Sequence, residues 1–352
     1  MRRCGSATSG ACLSSHEPRA AVFGCAGTSL SASERAFFRD ANPLAFILFG
    51  RNCESPDQVR ALVSALRKAV ERADAPILID QEGGRVARLG PPHWRRYPAA
   101  ANIGALSGAQ ASEAAHLTAR LIAADLAALG VTVDCAPVLD VPVAGADPVI
   151  GDRAYGGDAA LVARLGRAFC EGLLAGGVLP VIKHIPGHGR ATADSHRALP
   201  VVDCDTAALE ANDFAPFRAL AAMPWAMTAH ILYRALDPAQ PATLSAQVIA
   251  KTIRASIGFD GVLISDDLSM NALVGALGER ARSAIAAGCD LALHCNGDPS
   301  EMREIAAATP PLTAAARRRL ARGEAMRHAP AGFNRAAAER RLDALMAGAA
   351  AA

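Results

Sequence analysis

No apolar run in this sequence reaches the roughly 18 residues that a membrane-spanning helix needs, so no such span is expected. No basic run interleaved with aromatic residues occurs, and the formal net charge is only +2. A polyanionic partner, nucleic acid above all, therefore has no support. No Cys-x-x-Cys pair is found among nine scattered cysteines. Cys25, Cys135 and Cys295 sit inside apolar, strand-like runs, where a reduced buried thiol is the ordinary state. A reducing, cytoplasmic compartment is the expectation. No apolar stretch backs the positive start Met1-Arg2-Arg3 before Pro18, which makes a secretory signal or a lipid attachment at Cys12 a poor fit. Residues 1–19 are expected to be a disordered extension, and 20–350 one domain. No Gly-rich phosphate loop follows the first apolar run, which weakens a nucleotide site. Lysine is scarce as well, with three in 352 residues.

What is present is core and alternation. The chain is 51% hydrophobic and 20% charged, enough to bury a sizeable interior. Short apolar runs predict strands at Ala21–Cys25, Ala45–Phe49, Pro76–Ile79, Thr132–Leu139, Val178–Ile182, Trp225–Ala229, Gly261–Ile264 and Leu291–His294. Helices are expected between them. Ser31-x-x-Glu34 is a capping box. Ser55-Pro56 supplies an N-cap followed by a first-turn proline. Gly130 and Gly288 stand where helices should stop. Further helices are expected over about 109–128, 159–175, 206–221 and 245–256, and through most of 299–352. Eight strands separated by helices suggest an α/β fold, a parallel (β/α)8 TIM barrel with extra C-terminal helices. An open doubly wound sheet is the rival. The barrel is favoured because polar residues collect at the C-terminal ends of the strands: Asp80 and Glu82, Asp140, Lys183 and His184, His230, Asp266 and Asp267, His294. A barrel brings those ends to one face, whereas an open sheet gathers ligands at a switch point.

The segment from Lys183 to His196 is the densest in chemistry. It holds one of the three lysines, three of the nine histidines, Asp194, and the glycines Gly187 and Gly189 as candidate hinges. A loop so rich in titratable groups usually carries function. Asp194-x-His196 is a spacing at which a carboxylate can orient an imidazole and raise its basicity. His184-x-x-x-His188 has metal-like spacing, but Pro186-Gly187 between them rules out the helix that would align them, so zinc is not favoured. Asp266 could be a nucleophile, a general acid or base, or a metal ligand. Asp267 is expected to cap a helix beginning near Leu268. Asp80-Gln81-Glu82-Gly83-Gly84-Arg85-Val86-Ala87-Arg88 offers the carboxylates and guanidinium forks that suit a polyhydroxylated ligand. Gly151-Asp152-Arg153 is a weaker case of the same kind.

Taken together, Asp80-Gln81-Glu82-Gly83-Gly84-Arg85-Val86, Ile150-Gly151-Asp152-Arg153, Lys183-His184 with Pro186-Gly187-His188-Gly189, Asp194-Ser195-His196 and Ser265-Asp266-Asp267-Leu268-Ser269-Met270 resemble glycoside hydrolase family 3. Within it they resemble the single-domain bacterial β-N-acetylglucosaminidases of peptidoglycan recycling. The likeness runs from about Ala20 to His294. It implies Asp266 as the nucleophile and His196, paired with Asp194, as the acid that turns into the base. It implies Asp80, Arg88, Arg153, Lys183 and His184 as ligands of N-acetylglucosamine, no cofactor and no metal, and a monomer acting on small cell-wall fragments with neither nucleic acid nor membrane as partner. Ile185 departs from the family pattern, which usually has an aromatic residue there. Three rivals stand beside this expectation: a phosphorylase using phosphate in place of water, a zinc hydrolase built on His184, His188 and Asp194, and a barrel that binds sugars without cleaving them.

Overall fold

The computed structural model describes residues 17–350. The expected disordered extension falls mostly outside them, on residues 1–16. Its last residues do not fit that expectation: Arg19 already opens the first strand, and the Pro18 carbonyl accepts from Leu312 N at 2.9 Å.

Eight parallel strands close into a ring: β1 (Arg19–Phe23), β2 (Pro43–Leu48), β3 (Ile77–Ile79), β4 (Val133–Asp134), β5 (Leu179–Ile185), β6 (Trp225–Thr228), β7 (Val262–Asp267) and β8 (Leu291–His294). Each strand pairs with its neighbours in chain order, and β1 pairs with β8 through Ala21–Ala292, Val22–Leu293 and Phe23–His294. The open sheet is thereby excluded; the fold is the (β/α)8 barrel.

The strands read as continuous apolar runs because both of their faces are covered. One parity points inward: Val22, Ala45, Ile47, Leu78, Val133, Val181, Trp225, Met227, Val262, Ile264, Leu291 and Leu293 fill the barrel interior. The other parity, including Phe23, Phe46, Leu48, Ile77, Ile79, Ile182 and Leu263, packs beneath the helices. The helices follow from their ends and stripes. In α1 (Ala32–Ala41) Ser31 Oγ accepts from Glu34 N, and the Glu34 carboxylate accepts from Ser31 N at 2.9 Å. In α2 (Pro56–Ala69) Ser55 caps the first turn, and Val59, Leu62, Val63 and Leu66 form the buried stripe at helical spacing. Next, α3 (Gly108–Leu129) ends at Gly130 in the left-handed region, and α4 (Ala159–Ala175) is capped by Asp158. The chain finishes with α5 (Leu277–Ala287), α6 (Pro299–Ala308), α7 (Ala314–Glu324) and α8 (Arg335–Ala350).

Three expectations about elements need correction. The fourth strand is regular only over Val133–Asp134; Pro137 has no N–H to give the ladder, and the segment stays attached to β5 irregularly, through Val181 N to Ala136 O at 3.1 Å, Lys183 N to Pro137 O at 3.2 Å and Leu139 N to Lys183 O at 2.7 Å. The segment expected as one helix from Thr206 is broken into Thr206–Ala208, a π-turn over Leu209–Asp213, and Ala215–Ala219. The segment expected as a helix over 245–256 is wound as a π-helix over Val248–Ser256. Among the described residues no helix is long and apolar enough to cross a membrane.

Candidate active site

Strand parity builds the site. Leu78, Val181 and Ile264 face the barrel interior. Two residues further along each strand direction stand Asp80, Lys183 and Asp266, so all three are carried to the axis at the C-terminal mouth. There they line a cavity of about 370 Å³ together with Glu82, Arg88, Arg153, His184, His188, Asp194, His196, Asp267 and others. Asp80, Arg88, Arg153, Lys183, His184, Asp194, His196 and Asp266 all line this one cavity, whereas the strand-end residues Asp140, His230 and His294 do not. A larger groove of about 710 Å³ lies between α2 and α3, lined by Arg60, Arg67, Lys68 and Leu129 among others. Its only carboxylate is Glu71 and no histidine faces it, so it lacks the acid–base constellation of the mouth.

One half of the cavity is a buried ion network. Lys183 Nζ donates to Asp80 Oδ1 at 2.7 Å and lies 2.7 Å from Glu82 Oε1. Arg88 donates to the other Asp80 oxygen at 3.0 Å. Arg153 grips Glu82 with two parallel bonds of 2.9 and 2.8 Å. Burial alone would push the Asp80 and Glu82 carboxyls up. The Lys183 charge, with Arg88 beside Asp80 and Arg153 beside Glu82, outweighs it and holds both carboxyls low. Burial would likewise depress Lys183, but its two carboxylate partners raise it instead. Asp80, Glu82 and Lys183 are therefore charged at neutral pH, and with the two guanidinium groups bonded to them they are preorganised for a polar ligand. Glu82 is the member that sequence reasoning left unassigned. Its signal was the i, i+2 spacing from Asp80, which puts both carboxylates on one side of the chain.

The other half carries the groups that can react. Asp266 Oδ1 accepts from Asp267 N at 2.8 Å. Burial pushes this carboxyl up, and the nearby His184, His230 and Lys183 reverse the shift, so Asp266 is a carboxylate. His184 Nδ1 sits 2.7 Å from Asp140 Oδ2, and Asp140 Oδ1 accepts from His184 N at 3.1 Å and His188 N at 2.6 Å. Asp140 is fully buried, yet the two histidines hold its carboxyl down at about 2. With Nδ1–H committed to Asp140, His184 keeps Nε2 for a ligand. His188 belongs to the scaffold: its Nε2 lies 3.3 Å from Ser195 Oγ, and burial next to His184 pushes its pKa down to about 4.

Asp194 Oδ1 accepts from His196 N at 2.9 Å and lies 2.8 Å from His196 Nδ1. The pair is local, as its spacing predicted, and the imidazole stands largely in solvent at the cavity rim, with its side chain 65% exposed. The glycines expected as hinges stand at points of close approach. A Cβ on Gly189 would run into the Val141 carbonyl, and one on Gly187, whose φ is +138°, would meet Asp213 Cβ at 2.9 Å. Both permit close packing. Asp267 also differs from expectation. No helix begins near Leu268; the next is α5, and Asp267 instead caps a turn, accepting from Ser269 N at 3.1 Å and Ser269 Oγ at 2.7 Å. Among the described residues no cluster of three or more His, Cys, Asp or Glu side chains is arranged to hold a metal ion.

A (β/α)8 barrel whose mouth joins a charged sugar-sized cradle to an isolated carboxylate and a carboxylate-held imidazole has the make-up of a hydrolase for polar, hydroxyl-rich substrates. Residues 25–318 match the glycosyl hydrolase family 3 N-terminal domain. The chain is 42% identical over 282 residues to a β-hexosaminidase of Alkalilimnicola ehrlichii, covering 78% of this chain and 80% of that one. Among solved structures it superposes on native NagZ from Neisseria gonorrhoeae with a TM-score of 0.82 and 32% identity, over 95% of this chain and 98% of that one. It also superposes on a family 3 β-N-acetylglucosaminidase from Paenibacillus sp. str. FPU-7, with a TM-score of 0.76 and 36% identity. That match covers 94% of this chain but spans only 61% of the longer protein. The chain belongs to glycosyl hydrolase family 3.

Proposed function

We propose that this protein is a retaining exo-β-N-acetylglucosaminidase that removes terminal β-1,4-linked N-acetylglucosamine from (anhydro)muropeptides during peptidoglycan recycling. The observation that carries the proposal is the opening of Asp266 and the Asp194–His196 pair onto one cavity floored by the Asp80–Lys183–Glu82 network. The Asp266 carboxylate attacks the anomeric carbon as the bond to the leaving oxygen breaks. His196, oriented by Asp194, gives that oxygen its proton. The neutral imidazole then takes a proton from water, which displaces Asp266 and regenerates the free carboxylate. Asp80, Arg88, Arg153, Lys183 and His184 hold the sugar. The names of the relatives support the hexosamine preference, and the cavity's closed floor supports attack at a chain end. The free thiols Cys25, Cys53, Cys135, Cys170, Cys204, Cys289 and Cys295 support a cytoplasmic setting, and no resident metal or cofactor is needed.

The test is product analysis on a purified muropeptide digest with the anomer followed by NMR. Free N-acetylglucosamine appearing first as the β-anomer is expected. The α-anomer first would defeat the covalent route, and a sugar 1-phosphate formed only with added phosphate would make the enzyme a phosphorylase. A fluorinated N-acetylglucosaminide should tag Asp266, and Asp266→Ala should lower turnover by about 10⁴-fold or more.

A further inference from the structure

Two loops meet over the cavity. One carries the Asp194–His196 pair. The other follows Asp266 from the end of β7 to the start of α5. The second loop is stiff. Asp267 gathers Ser269 through its N and Oγ, Met270 N donates to Asp267 O at 3.1 Å, and Leu273 N donates to Met270 O at 3.3 Å. From α5, Arg280 donates to the carbonyls of Leu268 at 2.8 Å, Met270 at 3.2 Å and Gly275 at 3.0 Å. From this platform two donors reach across: Asn271 Nδ2 to His196 O at 3.0 Å, and Ala272 N to Ser195 O at 3.1 Å. The acceptor is a carbonyl, so the amide nitrogen of Asn271 must face it. On its other side the His196 loop has Ser195 Oγ at 3.3 Å from His188 Nε2, on the Asp140-bound scaffold.

We propose that Asn271 is a positioning residue of the reaction, a latch that registers the proton-donating His196 against the nucleophile Asp266. The inference rests on the proposed roles of those two residues. Among the described residues the His196 ring is held by Asp194 alone, a residue of its own loop, so that pair orients the ring within the loop but does not place the loop over the anomeric carbon. The reach from Asn271 does so, and it starts five residues after Asp266 on a loop cemented by Arg280. Proton transfer tolerates little misplacement, whereas nucleophilic attack does not depend on this loop.

The readout is leaving-group dependence. Asn271→Ala alters an exposed side chain, so the variant should fold. With unactivated aryl or disaccharide N-acetylglucosaminides its kcat/KM should fall about tenfold, and with dinitrophenyl leaving groups, which need no proton, by under about threefold. Asn271→Gln, which keeps the amide, should recover part of the loss. A second variant, Ala272→Pro, removes the other donor and should shift the same ratio in the same direction. His196→Ala, measured in parallel, separates the failures. If it loses activity equally on both substrates, the acid assignment falls and the latch with it. If His196→Ala discriminates between the substrates and Asn271→Ala does not, the latch alone is overturned. An equal loss on both substrates together with a lowered Tm for Asn271→Ala makes the contact merely structural and also overturns it.

Discussion

Lys183 illustrates how much one side chain holds in place. Its ammonium stands between two carboxylates, 2.7 Å from each, and the three groups are almost wholly enclosed. Removing the cation while leaving the anions should be costly: Lys183→Met should lower unfolding free energy by about 3–5 kcal/mol in urea melts, as for other broken buried pairs. Lys183 and Asp80 were legible because both continue an inward strand parity. Asp140 was visible only as a polar strand end, since its partners, His184 and the backbone of His188, arrive from 44 and 48 residues away. His188 sets a pH dependence. Its pKa falls from 6.5 when unfolded to about 4 when buried, so between those values the unfolded chain binds the extra proton and stability rises with pH. Unfolding free energy should drop by about 3 kcal/mol between pH 7 and pH 4 from this residue alone, and His188→Asn should flatten that slope. Asp140, the group facing it, adds its own loss only below about pH 4, as its carboxyl titrates toward about 2.

At the level of elements, what could be read was what end-capping and parity control. The Ser31–Glu34 box, the Ser55-Pro56 start and the Gly130 and Gly288 stops all lie where local chemistry puts them. What could not be read depends on contacts distant in sequence. The π-turns near Leu209 and Val248 carry the same residues an α-helix would, and tertiary packing chooses between the two windings. The glycines after His184 look like joints because their neighbours in space are not their neighbours in sequence. Gly189 packs directly on the backbone of Val141, which cannot rotate out of the way as a side chain could. Gly189→Ala should therefore destabilise the fold by about 2 kcal/mol, measurable as a lowered Tm. It should also reduce kcat/KM on poor leaving groups by displacing the loop that leads to His196.

For the molecule as a whole, strand count and polar strand ends were enough to favour the barrel, but closure itself is a pairing of residues 271 apart, Ala21 with Ala292, which no local pattern announces. The C-terminal helices were expected without an assigned role. In the structure α8 lies on α3, burying Ala338, Leu342 and Leu345 and pairing Arg341 with Glu113 at 2.8 and 2.6 Å. It braces α3 and, through Arg95 donating to Asp343 at 2.6 Å, the segment that follows β3. Leu342→Ala should cost about 3 kcal/mol of stability in a denaturant melt while leaving kcat on N-acetylglucosaminides intact, and a matching loss of kcat would tie this brace to catalysis. The closed ring has one more effect. An open sheet ends in two rows of unsatisfied peptide groups to which a second copy could add its own strand, and here the main sheet has spent both rows on each other. Crowded copies of the protein can zip together through this sheet only after one of its eight strand joins has come undone, so resistance to aggregation should track the weakest join in the ring.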